Sequence, residues 1–336
     1  MKMLARFRPD KFLLLLLVTL AFASLVPARG SAAPLFDRLT DIGITLLFFM
    51  HGAKLSRSAI VAGLGAWRLH LMVLATTFIL FPLLGLGMTT ALSPWLDEAV
   101  VAGFLFLCIV PSTVQSSIAM TAMAHGNVPA AVCSASLSNV LGIVLTPMLA
   151  ALLLHGQSAE GNFFLSALIS VATTLLLPFI LGHLARPLVG GFIDKHRSLV
   201  SRADRGVILL VVYTAFSAAV VEGLWKRFSG WDLISIAILS SILLGAVLLF
   251  TRFIARLTHQ SHENEAVLVF CGSKKSLASG VPMAGALFAP AQVGVMVLPL
   301  MLFHQLQLLV CAALAQAYGR RAEANANVSG EKAHAV

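Results

Sequence analysis

Apolar runs of membrane length recur along this chain with only brief polar interruptions. A helix needs roughly 20 residues to cross about 30 Å of hydrocarbon. Runs of that order lie near 12–27, 39–55, 67–90, 99–123, 128–154, 163–185, 205–224, 231–255, 264–288 and 292–318. Short polar or Pro/Gly-containing segments separate them, among them Ser93-Pro94-Trp95-Leu96-Asp97-Glu98, His155-Gly156-Gln157-Ser158 and Phe228-Ser229-Gly230. The pattern predicts an all-α polytopic membrane protein of ten spans, one transmembrane domain over 1–336, because backbone polar groups in lipid must be satisfied within each segment. Only 11% of the residues are charged and 59% are hydrophobic, whereas a soluble domain carries about 25% charge. An ordinary cytoplasmic enzyme and a disordered regulator are excluded, and the lipid bilayer is the expected partner. The tail 319–336, with RRAEANANVSGEKAHAV from Arg320, is polar and expected to be disordered and cytoplasmic.

The net charge of +9 raises the question of a nucleic-acid partner. Its distribution answers it. With the N-terminus inside, alternate loops and flanks hold 17 Lys and Arg on the inner side against 4 (Arg29, Arg38, Lys226, Arg227) on the outer side. This is the positive-inside bias of a ten-span protein with both termini cytoplasmic, in the cell membrane, and no nucleic acid is needed to explain it. The first run has two readings. Lys2, Arg6, Arg8 and Lys11 before it, and Gly30-Ser31-Ala32-Ala33 after it, resemble a signal peptide. As a retained helix it completes a five-plus-five arrangement, and that reading is preferred. Cys108, Cys133, Cys271 and Cys311 lie inside apolar runs and read as buried free thiols. His51, His70, His125 and His304 have no His partner at helical spacing, so no metal site is expected.

Lys274 and Lys275 belong to no loop. Lys274 lies nine residues past Glu265, roughly 14 Å along a helix and so near mid-membrane. A cation there costs at least about 2.5–3.5 kcal/mol. Two adjacent lysines point in different directions on a helix, so both avoid lipid only where the helix is broken or lines a cavity. Gly272-Ser273 before them and Ser276, Ser279 and Gly280 after them supply a break. The fourth run repeats the design. Pro111 lies twelve residues after Ala99 and leads into Ser112-Thr113-Val114-Gln115-Ser116-Ser117. Proline removes a backbone donor, and the hydroxyls and amide can satisfy the freed groups. Each interrupted run is the fourth of five. Halves of odd number insert in opposite orientation, which gives two inverted repeats, 12–154 and 163–318, with a site where the breaks meet, as in secondary transporters.

Leu39-Thr40-Asp41-Ile42-Gly43-Ile44, FFMHGAKLSRSAI (48–60), WRLHL (67–71), Pro111–Ser117, His125-Gly126-Asn127-Val128-Pro129 and FCGSKKSLASGVP (270–282) resemble the bile acid:sodium symporter family. The closer resemblance is to the branch related to the seventh member of solute carrier family ten, over roughly residues 10–320. The resemblance implies ten helices, with one, two, six and seven as a panel. The other six form a core in which broken helices four and nine cross, and substrate binds between panel and core. In sodium-coupled relatives two ions are held by a Ser-Asn pair at the first break, hydroxyls on helix five, and a Glu and a Gln at the second break. Here Ser116 and Ser117 fall near the Ser-Asn pair. The helix-five hydroxyls fall on Ala131 and Ala135, the Glu on Phe270, the Gln on Lys274, and its neighbouring Asn on Lys275.

The resemblance therefore implies a sodium site that has lost an acid and two hydroxyls and gained ammonium groups. Two unit charges about 4 Å apart repel by about 4 kcal/mol at an effective dielectric near 20. The expectation is that a lysine ammonium occupies the place of one sodium ion, with transport proton-linked or uncoupled. The competing view keeps sodium, bound through Gln115, Ser116 and backbone carbonyls. No cofactor is implied beyond coupling Na+ or H+. Positive half-helix ends and the lysines favour a small organic, anionic solute. The candidate site residues are Lys274, Lys275, Ser273, Ser276, Ser112, Thr113, Gln115, Ser116, Ser117, Asn127 and His51. On helix two, Asp41, Phe48, Phe49 and His51 could face the solute, although Asp41 can instead pair with Arg38, and His51 can serve simply as an interfacial hydrogen-bonding residue. Trp67, Arg68 and Trp231 read as interface anchors. Two other classes of function bear on the same features. An intramembrane enzyme needs paired reactive groups at one depth, but Asp41, Glu222 and Glu265 sit near helix ends. A non-transporting regulator of ion homeostasis is compatible with the same scaffold. Solute identity and oligomeric state stay open.

Overall fold

The computed structural model describes residues 11–54, 64–92, 95–154, 172–221, 223 and 230–334. The expected loops at 155–158 and 228–229, residues 163–171 of the sixth run, Glu222, Arg57 and the basic residues before Lys11 lie outside them. Among the described residues all regular structure is helical. In chain order the helices are α1 (Lys11–Leu25), α2 (Ala32–Lys54), α3 (Trp67–Leu92), α4 (Glu98–Ile109), α5 (Gln115–Met123) and α6 (Val128–Leu154). They continue as α7 (Leu177–Lys195), α8 (Arg197–Val221), α9 (Gly230–Leu257), α10 (His262–Gly272), α11 (Leu277–Leu287) and α12 (Pro290–His334). α3 contains a π turn at Thr76–Leu80, and another, Ala172–Leu176, leads into α7. Six of these helices, α3, α6, α7 with its leading turn, α8, α9 and α12, are long and apolar enough to cross a membrane. α1 and α4 are apolar but shorter. Leu152, Leu188 and Leu249 are exposed on outer faces, where a soluble protein would place charge. Trp67 and Trp231 are exposed too, and the Arg68 guanidinium lies 5.4 Å from the Trp67 ring.

Both expected interruptions are present, and local chemistry explains each. α4 starts at Asp97, whose carboxylate accepts from the Ala99 N–H at 2.9 Å. It stops at Ile109 because Pro111 has no N–H to offer and disfavours helical geometry in the residue before it. Val110 is accordingly extended, with ψ 154°. α10 starts under a Ser261 cap and ends at Gly272. Ser276 is extended, and its hydroxyl accepts from the Ser279 N–H to open α11.

One expectation fails at the C-terminus. The tail after Arg320 is helical, since α12 runs to His334. The sequence there is rich in Ala, Glu, Arg and Lys, strong helix formers. A helix already nucleated in the apolar part extends through them without a second nucleation cost.

Packing divides the helices. α1, α2, α7 and α8 lie against one another, and α8 carries this group onto α11 and α12. At the α2–α7 crossing Gly52 meets the Phe179 carbonyl, and Gly182 meets that of Phe49. A side chain at either glycine would occupy the space of backbone, so the close approach depends on both. α1 is integral to the group. Leu16 and Ala23 are buried, the Phe22 and Phe36 rings flank Tyr213, and the Tyr213 hydroxyl donates to the Val26 carbonyl at 3.0 Å.

Candidate functional site

The two interruptions meet. The Ser276 N–H donates to the Pro111 carbonyl at 2.8 Å. The Ser112 hydroxyl donates to the Cys271 carbonyl at 2.5 Å, and the Ser112 N–H donates to the Ser138 hydroxyl on α6 at 3.1 Å. Asn139 on α6 bridges both breaks. Its Nδ2 donates to the Ser112 carbonyl at 2.7 Å, and its Oδ1 accepts from the Ser279 hydroxyl at 2.6 Å. Pro111 is seated against Gly142, where a Cβ would come within 2.7 Å of the ring.

Both lysines are fully buried at this junction. The Lys275 ammonium donates to the carbonyls of Thr77, Cys108 and Val110 at 2.8, 2.7 and 2.9 Å. Its three N–H groups are thus all satisfied. Cys108 and Val110 close the C-terminal end of α4, where carbonyls lack helical partners and the dipole is negative. Thr77 lies in the π turn of α3, a distortion that takes carbonyls out of the regular ladder. The Phe81 ring face lies 4.1 Å from the ammonium and adds cation–π attraction. The Lys274 ammonium donates to the Ser116 carbonyl at 2.9 Å and lies 2.7 Å from Met120 Sδ. All of these partners are neutral. Gln307 on α12 holds the Lys275 peptide from behind: its Oε1 accepts from the Lys275 N–H and its Nε2 donates to the Lys275 carbonyl, both at 2.8 Å.

In front of the junction lies a cavity of about 430 Å³. Its far wall is built by the α5 and α11 N-termini, with Thr113, Gln115, Ser116, Ser276 and Ser279, and by Asn139 and His304. The near wall comes from α1, α2, α7 and α8, with Phe12, Phe48, His51, Lys54, Phe179, Ser201, Asp204 and Arg205. Lys54 and Asp204 form an ion pair, and the Arg205 guanidinium lies 5.5 Å from the Phe12 ring. Two helix N-termini therefore face an amphipathic space with basic groups across it, a setting that favours negative charge.

The candidate residues distribute unevenly around this space. His51, Thr113, Gln115, Ser116 and Ser276 line the cavity. Ser112, Ser117, Ser273, Lys274 and Lys275 are buried behind it. Asn127 lies elsewhere. It caps α6 by accepting from the Ala130 N–H, and it donates to Asn264 near the start of α10, roughly 15 Å of helix from Lys274. Asp41 is exposed on α2, and Phe49 serves the α2–α7 crossing. Asn139, Gln307 and the Lys54–Asp204 pair were not singled out from sequence, and Ser279 was read there only as part of the break. Asn139 and Gln307 had a signal, since each is an amide inside an apolar run; the pairing across α2 and α8 had none. The hydroxyls of Thr113, Ser116 and Ser117 are buried without a hydrogen-bond partner, which suits a small cation. The Lys274 ammonium already sits on the Ser116 carbonyl, 6.0 Å from the Phe270 ring, and does not suit a further cation beside it.

Comparison with known proteins agrees with this architecture. The model of the SBF-like CPA transporter family matches residues 10–320. An uncharacterized Pseudomonas aeruginosa protein is 53% identical over 316 residues, covering 94% of this chain and 95% of that one. YfeH of Escherichia coli, whose name proposes a symporter, is 50% identical over 314 residues, 94% of each chain. Sodium/bile acid cotransporter 7 of Rattus norvegicus is 27% identical over 324 residues, again 94% of each. The chain belongs to the SBF-like CPA transporter family.

Proposed function

We propose that this protein is a secondary carrier of a small organic anion that works by alternating access in the cell membrane. In this reading the chain makes ten passes with both termini cytoplasmic. Residues 12–154 and 163–318 are inverted repeats. α1, α2, α7 and α8 act as a panel that moves against a core holding the two breaks. Solute occupies the cavity between them, its acidic group toward the α5 and α11 N-termini, near Thr113, Gln115, Ser116 and Ser276. His51, Lys54 and Arg205 face it from the panel. Ser112, Ser117 and Ser273 shape the breaks from behind.

The observation that carries the coupling part of the proposal is the three-carbonyl seat of the Lys275 ammonium. A cation is needed there to neutralise the end of α4, and the chain supplies its own. Lys274 places a second built-in ammonium on the Ser116 carbonyl. Transport is then proton-linked or uncoupled, and a two-sodium requirement is removed.

Uptake by purified protein in liposomes tests this, with a panel of radiolabelled organic acids that includes bile acids. The expected result is saturable uptake of at least one acid without a sodium gradient. Strict sodium dependence would overturn the role given to the lysines, and folded protein that moves none of the panel would overturn the carrier reading.

A further inference from the structure

We infer that His304, rather than either lysine, is the group that binds the proton of the cycle, and that Gln307 passes its charge state to the lysine-bearing break; this rests on the carrier reading above. Gln307 is fully buried, and its orientation is forced. The Lys275 N–H can only donate, so the atom that accepts from it must be Oε1. Nε2 then has two hydrogens, and two acceptors lie at 2.8 Å: the Lys275 carbonyl and His304 Nδ1. His304 Nδ1 must therefore present a lone pair, which places the ring's proton on Nε2.

A protonated His304 cannot keep this arrangement. Its Nδ1–H would point at a Gln307 N–H. The Lys275 carbonyl, 3.4 Å away, has a second lone pair for the new proton, but one Gln307 N–H is then left without the acceptor it had. Proton uptake therefore takes the acceptor from one Gln307 N–H and sets N–H against N–H across 2.8 Å, a repulsion that pushes Gln307 off the peptide from which the Lys275 side chain springs. His304 and His51 both line the cavity, while the lysine ammoniums sit behind it on carbonyls; of the two imidazoles, His304 is the one joined to the lysine-bearing break through Gln307. When a carboxylic acid delivers the proton, its O–H bond breaks, the N–H bond on Nδ1 forms, and a carboxylate–imidazolium pair remains in the cavity. On the other side the Nδ1–H bond breaks, the proton passes to water, and Nδ1 regains the lone pair that accepts from Gln307.

Charged and titratable groups among the described residues also face the ring. Across the cavity stand His51, Lys54, Asp204 and Arg205, with Lys54 and Asp204 paired. Lys275 directs its ammonium to Thr77, Cys108 and Val110, and Lys274 directs its own to Ser116 and Met120.

The test needs no solute, so its failure is separate from failure of the carrier reading. The full chain is labelled with 15N-histidine in lipid nanodiscs, and the His304 signal is identified by its loss in His304→Asn. Asn can still accept from Gln307 but cannot titrate. Amide exchange of the segment containing Lys275 is followed in both proteins between about pH 5 and 8, where an imidazole changes charge. The expected result is an Nε2–H tautomer at the upper end. After correction for intrinsic rates, exchange should be about tenfold faster at the lower end, the equivalent of one lost hydrogen bond, and this dependence should vanish in His304→Asn. A proton on Nδ1 at the upper end, or pH-dependent exchange that persists in His304→Asn, overturns the assignment.

Discussion

Ser276 and Pro111 are joined main chain to main chain, N–H to carbonyl, at 2.8 Å. Ser276 also caps α11, and Pro111 ends α4, so the bond connects the start of one half-helix to the end of another. A displacement of either break is carried to the other without any side chain between them. The lysines, Asn139 and Gln307 are arranged around this bond, and their replacement should show how firmly it is held.

Replacing Lys275 with Met should strongly destabilise the protein. Three carbonyls would lose their donor inside the fold, and each unsatisfied group costs about 1–3 kcal/mol. Lys274→Met should cost less, because only one carbonyl and a thioether depend on that ammonium. Thermal unfolding in detergent, followed by tryptophan fluorescence, should rank wild type above Lys274→Met and Lys274→Met above Lys275→Met. Equal losses for both would contradict the unequal seats.

Asn139→Ala removes the bridge between the breaks. It should lower stability by about 1–2 kcal/mol, the scale of two net hydrogen bonds. Because Asn139 also lines the cavity, the apparent affinity for a transported acid should fall as well. Asn139→Asp keeps an acceptor for Ser279 but sets a carboxylate against the Ser112 carbonyl, and should be worse than Ala for an anionic solute. Uptake kinetics in liposomes read both effects.

Gly182→Val should separate α2 from α7. The added carbons meet the Phe49 backbone, which cannot move aside as a flexible side chain can. The expected outcome is loss of folded protein by size-exclusion chromatography. Gly191→Val on the same helix, where a Cβ meets nothing within 4 Å, should be tolerated much better, since valine ranks above glycine in helix propensity.

Deleting residues through 27 should not yield a stable protein. Leu16, Ala23 and the Phe22 ring would be stripped from α8, and the cavity would lose Phe12 from its wall. Thermal stability of the truncated chain against the full chain is the measurement, and an unchanged melting temperature would show α1 to be dispensable.

The helical class and the positions of both breaks could be read from the sequence, because each depends on local chemistry. Run length reports the hydrocarbon, Pro111 removes a donor, and Gly272-Ser273 lets a helix end. What surrounds the breaks could not be read that way. The seat of Lys275 takes carbonyls from Thr77, Cys108 and Val110, and a carbonyl is present at every residue, so nothing in sequence marks the three that are used. Asn127 looked like part of the site because it sits in a motif with Gly126 and Pro129, yet it caps a helix at the far end of α10. The tail looked disordered because polarity was read without regard to the helix already running into it. Gln307 stood in plain view as an amide in an apolar run, but its partner, a peptide 32 positions earlier, is set only by the packing of α12 on the break.

In the proposed carrier cycle the charge of Lys275, being covalently bound, returns with the protein whenever its half-helix moves back. An ion that is released on one side of a membrane does work and discharges a battery; a tethered one completes each round trip with zero net displacement. The voltage across the bilayer can still bias the two orientations of the empty protein, but over a full turnover only what enters and leaves the cavity can carry current.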